Sequence, residues 1–214
     1  MSNFFTPPTT FVPPSQRGGP AWELAMLFPA QGYWSEEEYL ALDTNHLVEL
    51  VDGFIEVHPM ASLVHQLILK FLLRWLDDFV TLHKLGTALC APFPVKIVAG
   101  TFREPDIVFL KPGRLKGTNP RSVAGADLAL EIVSEGAENR KRDLETKPVE
   151  YATAGIAEYW LVDPELQTIT VLTLDGATYR EHGVFRIGDT AISRLLPGLT
   201  LSVDATFTAG QAAA

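Results

Sequence analysis

Two short apolar stretches each carry a single carboxylate. Asp106 heads Ile107-Val108-Phe109-Leu110, and Glu131 sits inside Leu128-Ala129-Leu130-Glu131-Ile132-Val133. Runs this apolar read as buried strands, the second as a central one. An unpaired charge in such a strand is strongly unfavourable. A fold that buries both strands must therefore supply a cation. A divalent metal held through oxygen is the simplest answer, and Lys147, on the helix that follows, is placed to orient or activate a water beside it. The period of two puts Glu131 on the strand face of Ala129 and Val133. Taken singly, either acid has an ordinary alternative, in which it turns to solvent or pairs with a nearby base.

The rest of the chain supplies elements around these strands. Residues 1–20 are rich in Pro, Thr, Ser and Gly and read as a flexible arm. Ser35 followed by Glu38 has the spacing of a capping box and opens a short helix that ends before Asp43. Asp52-Gly53 between two β-rich runs, 47–51 and 54–57, predicts a tight primed hairpin. Apolar residues from Val64 to Val80 recur at helical spacing within a long helix over 62–82. Residues 94–98 and 106–110 read as paired strands across Gly100. Residues 142–154 read as a helix ended by Gly155, and 158–163 as a strand closed by Pro164. A further hairpin, 168–174 and 178–182, turns at Asp175-Gly176, and 185–207 is expected to add an edge strand or two. The expectation is an α/β fold, one domain over 21–207 with a central mixed sheet and helices on its faces, followed by a flexible tail over 208–214.

Charge and cysteine content narrow the chemistry. The formal net charge is −9, so nucleic acid cannot be held by bulk basicity and needs a local basic patch. The single cysteine, Cys90, excludes an internal disulfide framework and a Cys-rich zinc site; this usage fits a reducing, cytoplasmic compartment. No apolar run approaches the roughly 20 residues needed to cross a bilayer. Neither a Gly-rich phosphate loop nor a G-x-S-x-G elbow is present.

Further candidates lie around the acids. Asp143, Lys147 and Tyr151 are four apart and share one helical face. Pro148 disfavours helical geometry at Lys147, placing the lysine at a kink or at the true start of its helix. Glu49, alternating with Val48 and Leu50, is either a further metal carboxylate or an outward strand residue. His65 opens the long helix as a ligand-contact or packing residue. Arg140-Lys141-Arg142 is the best candidate for phosphate contact.

On Glu49-Leu50-Val51-Asp52-Gly53, His65, Glu104-Pro105-Asp106-Ile107-Val108, Leu130-Glu131-Ile132-Val133-Ser134, Asp143/Lys147/Tyr151 and the run from Ala154 to Pro164, the chain resembles the restriction-endonuclease-like family of small bacterial proteins within the PD-(D/E)XK nuclease superfamily. The resemblance covers about 35–164. It implies an α/β/α core around a mixed sheet and a metal-dependent phosphodiesterase site. In it Asp106 and Glu131 are the motif acids, and Glu49 is an upstream acid joining them. Val133 occupies the usual lysine position, and Lys147 supplies the lysine from the following helix. Ser134-Glu135-Gly136-Ala137 departs from the family's more usual Ser-Pro-Ser-Thr. The expected activity is a Mg2+- or Mn2+-dependent endonuclease on DNA, with Asp106, Glu131 and Lys147 catalytic, and a homodimer is compatible with cutting two strands. The alternatives are a catalytically idle interaction module of the same fold, or a phosphodiesterase acting on a small nucleotide.

Overall fold

In the computed structural model, which describes residues 25, 27–44, 46–116 and 120–211, Ser35 caps helix α1 (Glu36–Ala41). Its hydroxyl accepts from the Glu38 N–H, and the Glu38 carboxylate accepts from the Ser35 N–H, the capping box expected there. The arm over 1–20 lies outside the described residues. Asp52 and Gly53 both take positive φ, 49° and 80°, and join β1 (Val48–Val51) to β2 (Phe54–Val57) in primed-turn geometry. Ser62 caps α2 (Leu63–Leu82), whose Ile68, Leu72, Leu76 and Val80 form one buried stripe. Then follow β3 (Thr87–Cys90), β4 (Val95–Val98), β5 (Thr101–Arg103), β6 (Ile107–Leu110), β7 (Val123–Ala124) and β8 (Leu128–Ile132). Helix α3 (Ala137–Lys141), a π-helical turn (Arg142–Thr146) and α4 (Lys147–Thr153) lead to β9 (Glu158–Asp163). The chain closes with the hairpin β10 (Thr168–Asp175) and β11 (Thr178–Phe185), strands β12 (Thr190–Ile192) and β13 (Thr200–Ser202), and α5 (Val203–Gln211).

The strands form two mixed sheets and a small ribbon. A six-stranded sheet runs β11-β10-β9-β8-β6-β3, and a five-stranded one runs β2-β1-β5-β4-β7. β8 and β9 are parallel at the centre of the larger sheet, joined by the α3–α4 crossover. One face of this sheet buries Ile107, Phe109, Leu128 and Leu130 against α2 and α5. The other buries Val108, Ala129, Val133 and Tyr159 with Tyr151 of α4 and Val95 and Ile97 of β4. A strand covered on both faces reads as continuously apolar, which is why β6 and β8 stood out.

Four expectations change. Residues 94–98 do not pair with 106–110. Gly100, at φ +76°, turns β4 back onto β5, while β6 lies between β3 and β8 in the other sheet. The expected central mixed sheet is present as the six-stranded one, and the five-stranded sheet is additional to it. The helix foreseen over 142–154 begins at Ala137 and widens into a π turn, where the Lys147 N–H reaches back five residues to the Arg142 carbonyl. Pro148 explains the widening, because it has no N–H to donate and its ring would strike the carbonyl four residues back. Lys147 thus starts a helix, and the freed Asp143 carbonyl accepts from the Tyr159 hydroxyl at 3.0 Å. Beyond Phe185, β12 and β13 pair with each other rather than extending an edge. Helix α5 carries the chain to Gln211, past the expected start of the tail; 212–214 lie outside the described residues. No described helix is long and apolar enough to cross a membrane.

Candidate functional site

Register brings the two acids together. β6 and β8 are antiparallel with Ile107 opposite Leu130 and Val108 opposite Ala129, so one further step sets Asp106 opposite Glu131. Like charges across a strand pair repel. The neighbours that answer this come from α4, the π turn and α2. Lys147 Nζ lies 2.8 Å from Glu131 Oε1 and 3.2 Å from Asp143 Oδ1. The Tyr151 hydroxyl donates to Glu131 Oε1 at 2.7 Å. Asp106 Oδ2 accepts the Ile132 N–H at 2.7 Å and stands 3.2 Å from His65 Nε2. The Ser134 N–H donates to Asp143 Oδ2 at 3.1 Å. Each acid therefore has one oxygen held by the protein. Asp106 Oδ1 and Glu131 Oε2 have no hydrogen-bond partner among the described residues.

The cluster carries surplus negative charge. Burial pushes the Glu131 carboxyl up, Lys147 opposes this, and Asp106 and Asp143 add to the rise. Burial also disfavours a charged Lys147, but Glu131, Glu49 and Asp143 outweigh it and hold the ammonium well above its ordinary range. The same contest, burial against Asp106 and its neighbours, leaves His65 raised. Such an excess is relieved by protons or by a bound cation.

A second buried charge row lies beside the first. Glu49 is opposite Glu56 in the β1–β2 hairpin. With Leu50 opposite Phe102, the register sets Arg103 of β5 across from Glu49. Arg103, only 2% exposed, donates through Nη1 to Glu49 Oε2 at 2.8 Å and to Glu56 Oε2 at 2.7 Å. Its Nε and Nη2 grip Glu150 of α4 at 2.7 and 2.8 Å. Glu49 Oε2 is also 2.9 Å from His58 Nε2, and Oε1 accepts the Glu104 N–H at 2.9 Å. Both Glu49 oxygens are thereby committed to protein groups. Burial and the Glu49 charge push Glu104 up to about 7; it takes the Tyr39 hydroxyl at 3.2 Å on one oxygen, and its other is buried without a partner among the described residues.

Asp106, Glu131, Lys147, Glu49 and His65 all line one cleft of about 1540 Å³. The basic trio disperses. Arg140 and Arg142 reach the cleft wall, but Arg140 is clamped to Asp163 at 2.6 and 3.2 Å, and Arg142 leans on Asp143 at 3.5 Å. Lys141 is exposed and does not line the cleft. His65 spends Nε2 on Asp106 and so acts first as that acid's support.

The free oxygens of Asp106 and Glu131 are hard donors suited to a Mg2+- or Mn2+-type ion, and the charge excess suits one too. The donor set fits a divalent cation, with Glu49 held apart by its own partners. Sequence reasoning missed Arg103, Glu56, His58, Glu104 and Glu150. One signal was available: the Asp52-Gly53 turn alone pairs Glu49 with Glu56, a like-charged pair that demands a cation.

Residues 36–204 match the model of the Uma2 family, described as "Putative restriction endonuclease". A crystal structure described as a "putative nuclease belonging to DUF820" from Anabaena variabilis ATCC 29413 shares the fold. The match has a TM-score of 0.68 at 19% identity and covers 85% of this chain and 99% of that one. No curated protein matches the sequence.

Proposed function

The chain belongs to the Uma2 family of restriction-endonuclease-like proteins, and from that premise we propose that it is a metal-dependent nuclease hydrolysing phosphodiester bonds in DNA. The observation that carries this reading is the meeting of Asp106, Glu131 and Lys147 on one cleft wall, with one free oxygen on each acid. Asp106 and Glu131 would hold a Mg2+ or Mn2+ ion, which when bound supplies Lewis acidity to the phosphate and a more acidic water. The chain's own groups do the rest. The Ile132 N–H and His65 orient Asp106, and Tyr151 orients Glu131. Lys147 is held protonated by its acidic neighbours, so its part is to stabilise charge at the scissile phosphate rather than to take a proton. Asp143 fixes the lysine's position, and Arg121 and Arg142, which both line the cleft, are cations placed for a further phosphate oxygen. Glu49 acts from behind, through the Glu104 N–H two residues ahead of Asp106.

Incubation of plasmid and single-stranded DNA with the protein and Mn2+ tests this. Cleavage is expected for wild type and absent in Asp106→Ala and Glu131→Ala, whose circular dichroism should match wild type. Activity retained in either variant refutes the assignment. The net charge of −9 favours a second reading, in which the same site acts on a small nucleotide phosphodiester, because long-range repulsion then matters less. Hydrolysis of a dinucleotide with no cutting of plasmid would select it. No carboxylate-dependent Mn2+ binding and no cleavage of any substrate would identify a non-cleaving interaction module.

A further inference from the structure

Glu49, Glu56 and His58 have the makings of a cation site. Each offers a ligand atom, and these atoms all lie within 4.8 Å of one another. The three come from one hairpin, with Glu49 and Glu56 directly opposed across β1 and β2. Two buried or half-buried carboxylates facing each other need a positive charge between them. Arg103 supplies it. Register alone brings its side chain to Glu49, and Nη1 touches both acids at 2.8 and 2.7 Å. The rest of the fork is spent on Glu150, three residues along α4 from Lys147.

We infer that the Arg103 guanidinium stands where a second divalent cation would otherwise sit, so that this chain takes one metal ion, at Asp106 and Glu131, and not two. The inference rests on the metal reading above and adds to it the stoichiometry and the reason for it. A guanidinium differs from an ion in what it does. It is a permanent single positive charge shared among Glu49, Glu56 and Glu150, and it has no open position for water or a phosphate oxygen. It also has direction. The bidentate grip on Glu150 ties the five-stranded sheet to the helix that carries Lys147, so the fixed cation positions the lysine as well as balancing the acids.

Mn2+ titration of the full chain by calorimetry, with circular dichroism as a check on folding, tests this. Wild type is expected to bind one ion, lost in Asp106→Asn/Glu131→Gln and unchanged in Glu56→Gln. Arg103→Ala, which opens space among the acids, is expected to bind two, and Arg103→Ala/Glu56→Gln to return to one. Two ions in wild type, one of them removed by Glu56→Gln, overturns the inference. So does a folded Arg103→Ala that still binds one. If Arg103→Ala does not fold, wild type and Glu56→Gln decide alone: one ion indifferent to Glu56 supports the inference, and two overturn it. If wild type binds none, the reading of Asp106 and Glu131 fails separately. A single ion gained by Arg103→Ala then still supports the role of Arg103, and none gained overturns it.

Discussion

Glu158→Gln is a substitution whose cost follows from counting donors. Glu158 is fully buried and its carboxylate is surrounded by N–H and O–H groups. Oε1 accepts from Trp160 Nε1 and Ser193 Oγ, both at 2.7 Å. Oε2 accepts from the Arg194 and Leu195 N–H groups at 2.6 and 2.9 Å. A glutamine keeps the shape and has only one oxygen. The amide oxygen best keeps the Arg194 and Leu195 N–H groups, which sets the NH2 against the Trp160 N–H, a donor left without an acceptor, while the Ser193 hydroxyl turns to accept from the NH2. Hydrogen bonds to a charged group are worth roughly 1.5–3 kcal/mol each. With the Trp160 bond lost, the Ser193 bond reversed and the two backbone bonds weakened by loss of the charge, the expected destabilisation is about 3 kcal/mol. An unfolding entropy of about 2.1 cal/mol/K per residue over 214 residues turns this into a fall in Tm of roughly 7 °C. Urea denaturation followed by circular dichroism should show a lower midpoint with an unchanged slope. Glu165→Gln, at a side chain 68% exposed, serves as the control and should change stability by less than about 0.5 kcal/mol. A comparably small effect for Glu158→Gln would refute the reasoning, because it would mean that the four donors do not depend on the charge.

Lys147→Gln should lower kcat on a cleavable substrate by on the order of 10²–10³, as loss of one preorganised cationic donor does, with circular dichroism unchanged; near-full activity would remove the lysine from the site. Asp127 and Asp163 are both held below the ordinary carboxylate range: burial opposes this, but Arg114 and the Lys111 N–H outweigh it for Asp127, and Arg140 with the Leu166 and Glu165 N–H groups for Asp163. Their stabilisation is therefore complete above a pH of about 4 and lost as pH falls through the lowered values, so Asp127→Asn and Asp163→Asn should differ from wild type in urea midpoint at pH 7 and converge on it in acid. A difference that grows on acidification would contradict those partners. Gly86→Ala should cost at least about 2 kcal/mol in urea denaturation, because its φ is +149° and the added Cβ would lie 2.1 Å from the Leu110 carbonyl oxygen; a neutral result would show that β3 can shift on β6.

How much was legible depended on how local each signal was. The capping box at Ser35, the primed turn at Asp52-Gly53 and the buried stripe of α2 are set by residues within a few positions of one another, and the folded chain keeps all three. The doubly apolar runs at β6 and β8 announced strands covered on both faces, and the parity of Glu131 with Ala129 and Val133 gave the face on which it lies. The division into two sheets was not legible. It turns on β4 choosing β5 and β7 over β6, a competition between pairings that short strands such as Val123–Ala124 do not advertise. Pro148 signalled an irregularity at Lys147 without giving its form, since a kink, a helix start and a π turn all relieve the same clash.

By itself the sequence determined the family and the local elements at Ser35, Asp52-Gly53 and α2, and it singled out Asp106 and Glu131 as candidates, because propensity, turn chemistry and the period of two act along the chain. Only the tertiary structure decided which charge meets which. It spent Arg140 on Asp163 instead of the open cleft, placed Arg103 between Glu49, Glu56 and Glu150, and left one oxygen each on Asp106 and Glu131 free. The physical reason is that a buried charge is satisfied by whatever lies within about 3 Å of it in space, and strand register together with helix packing sets that distance, whatever the separation along the chain.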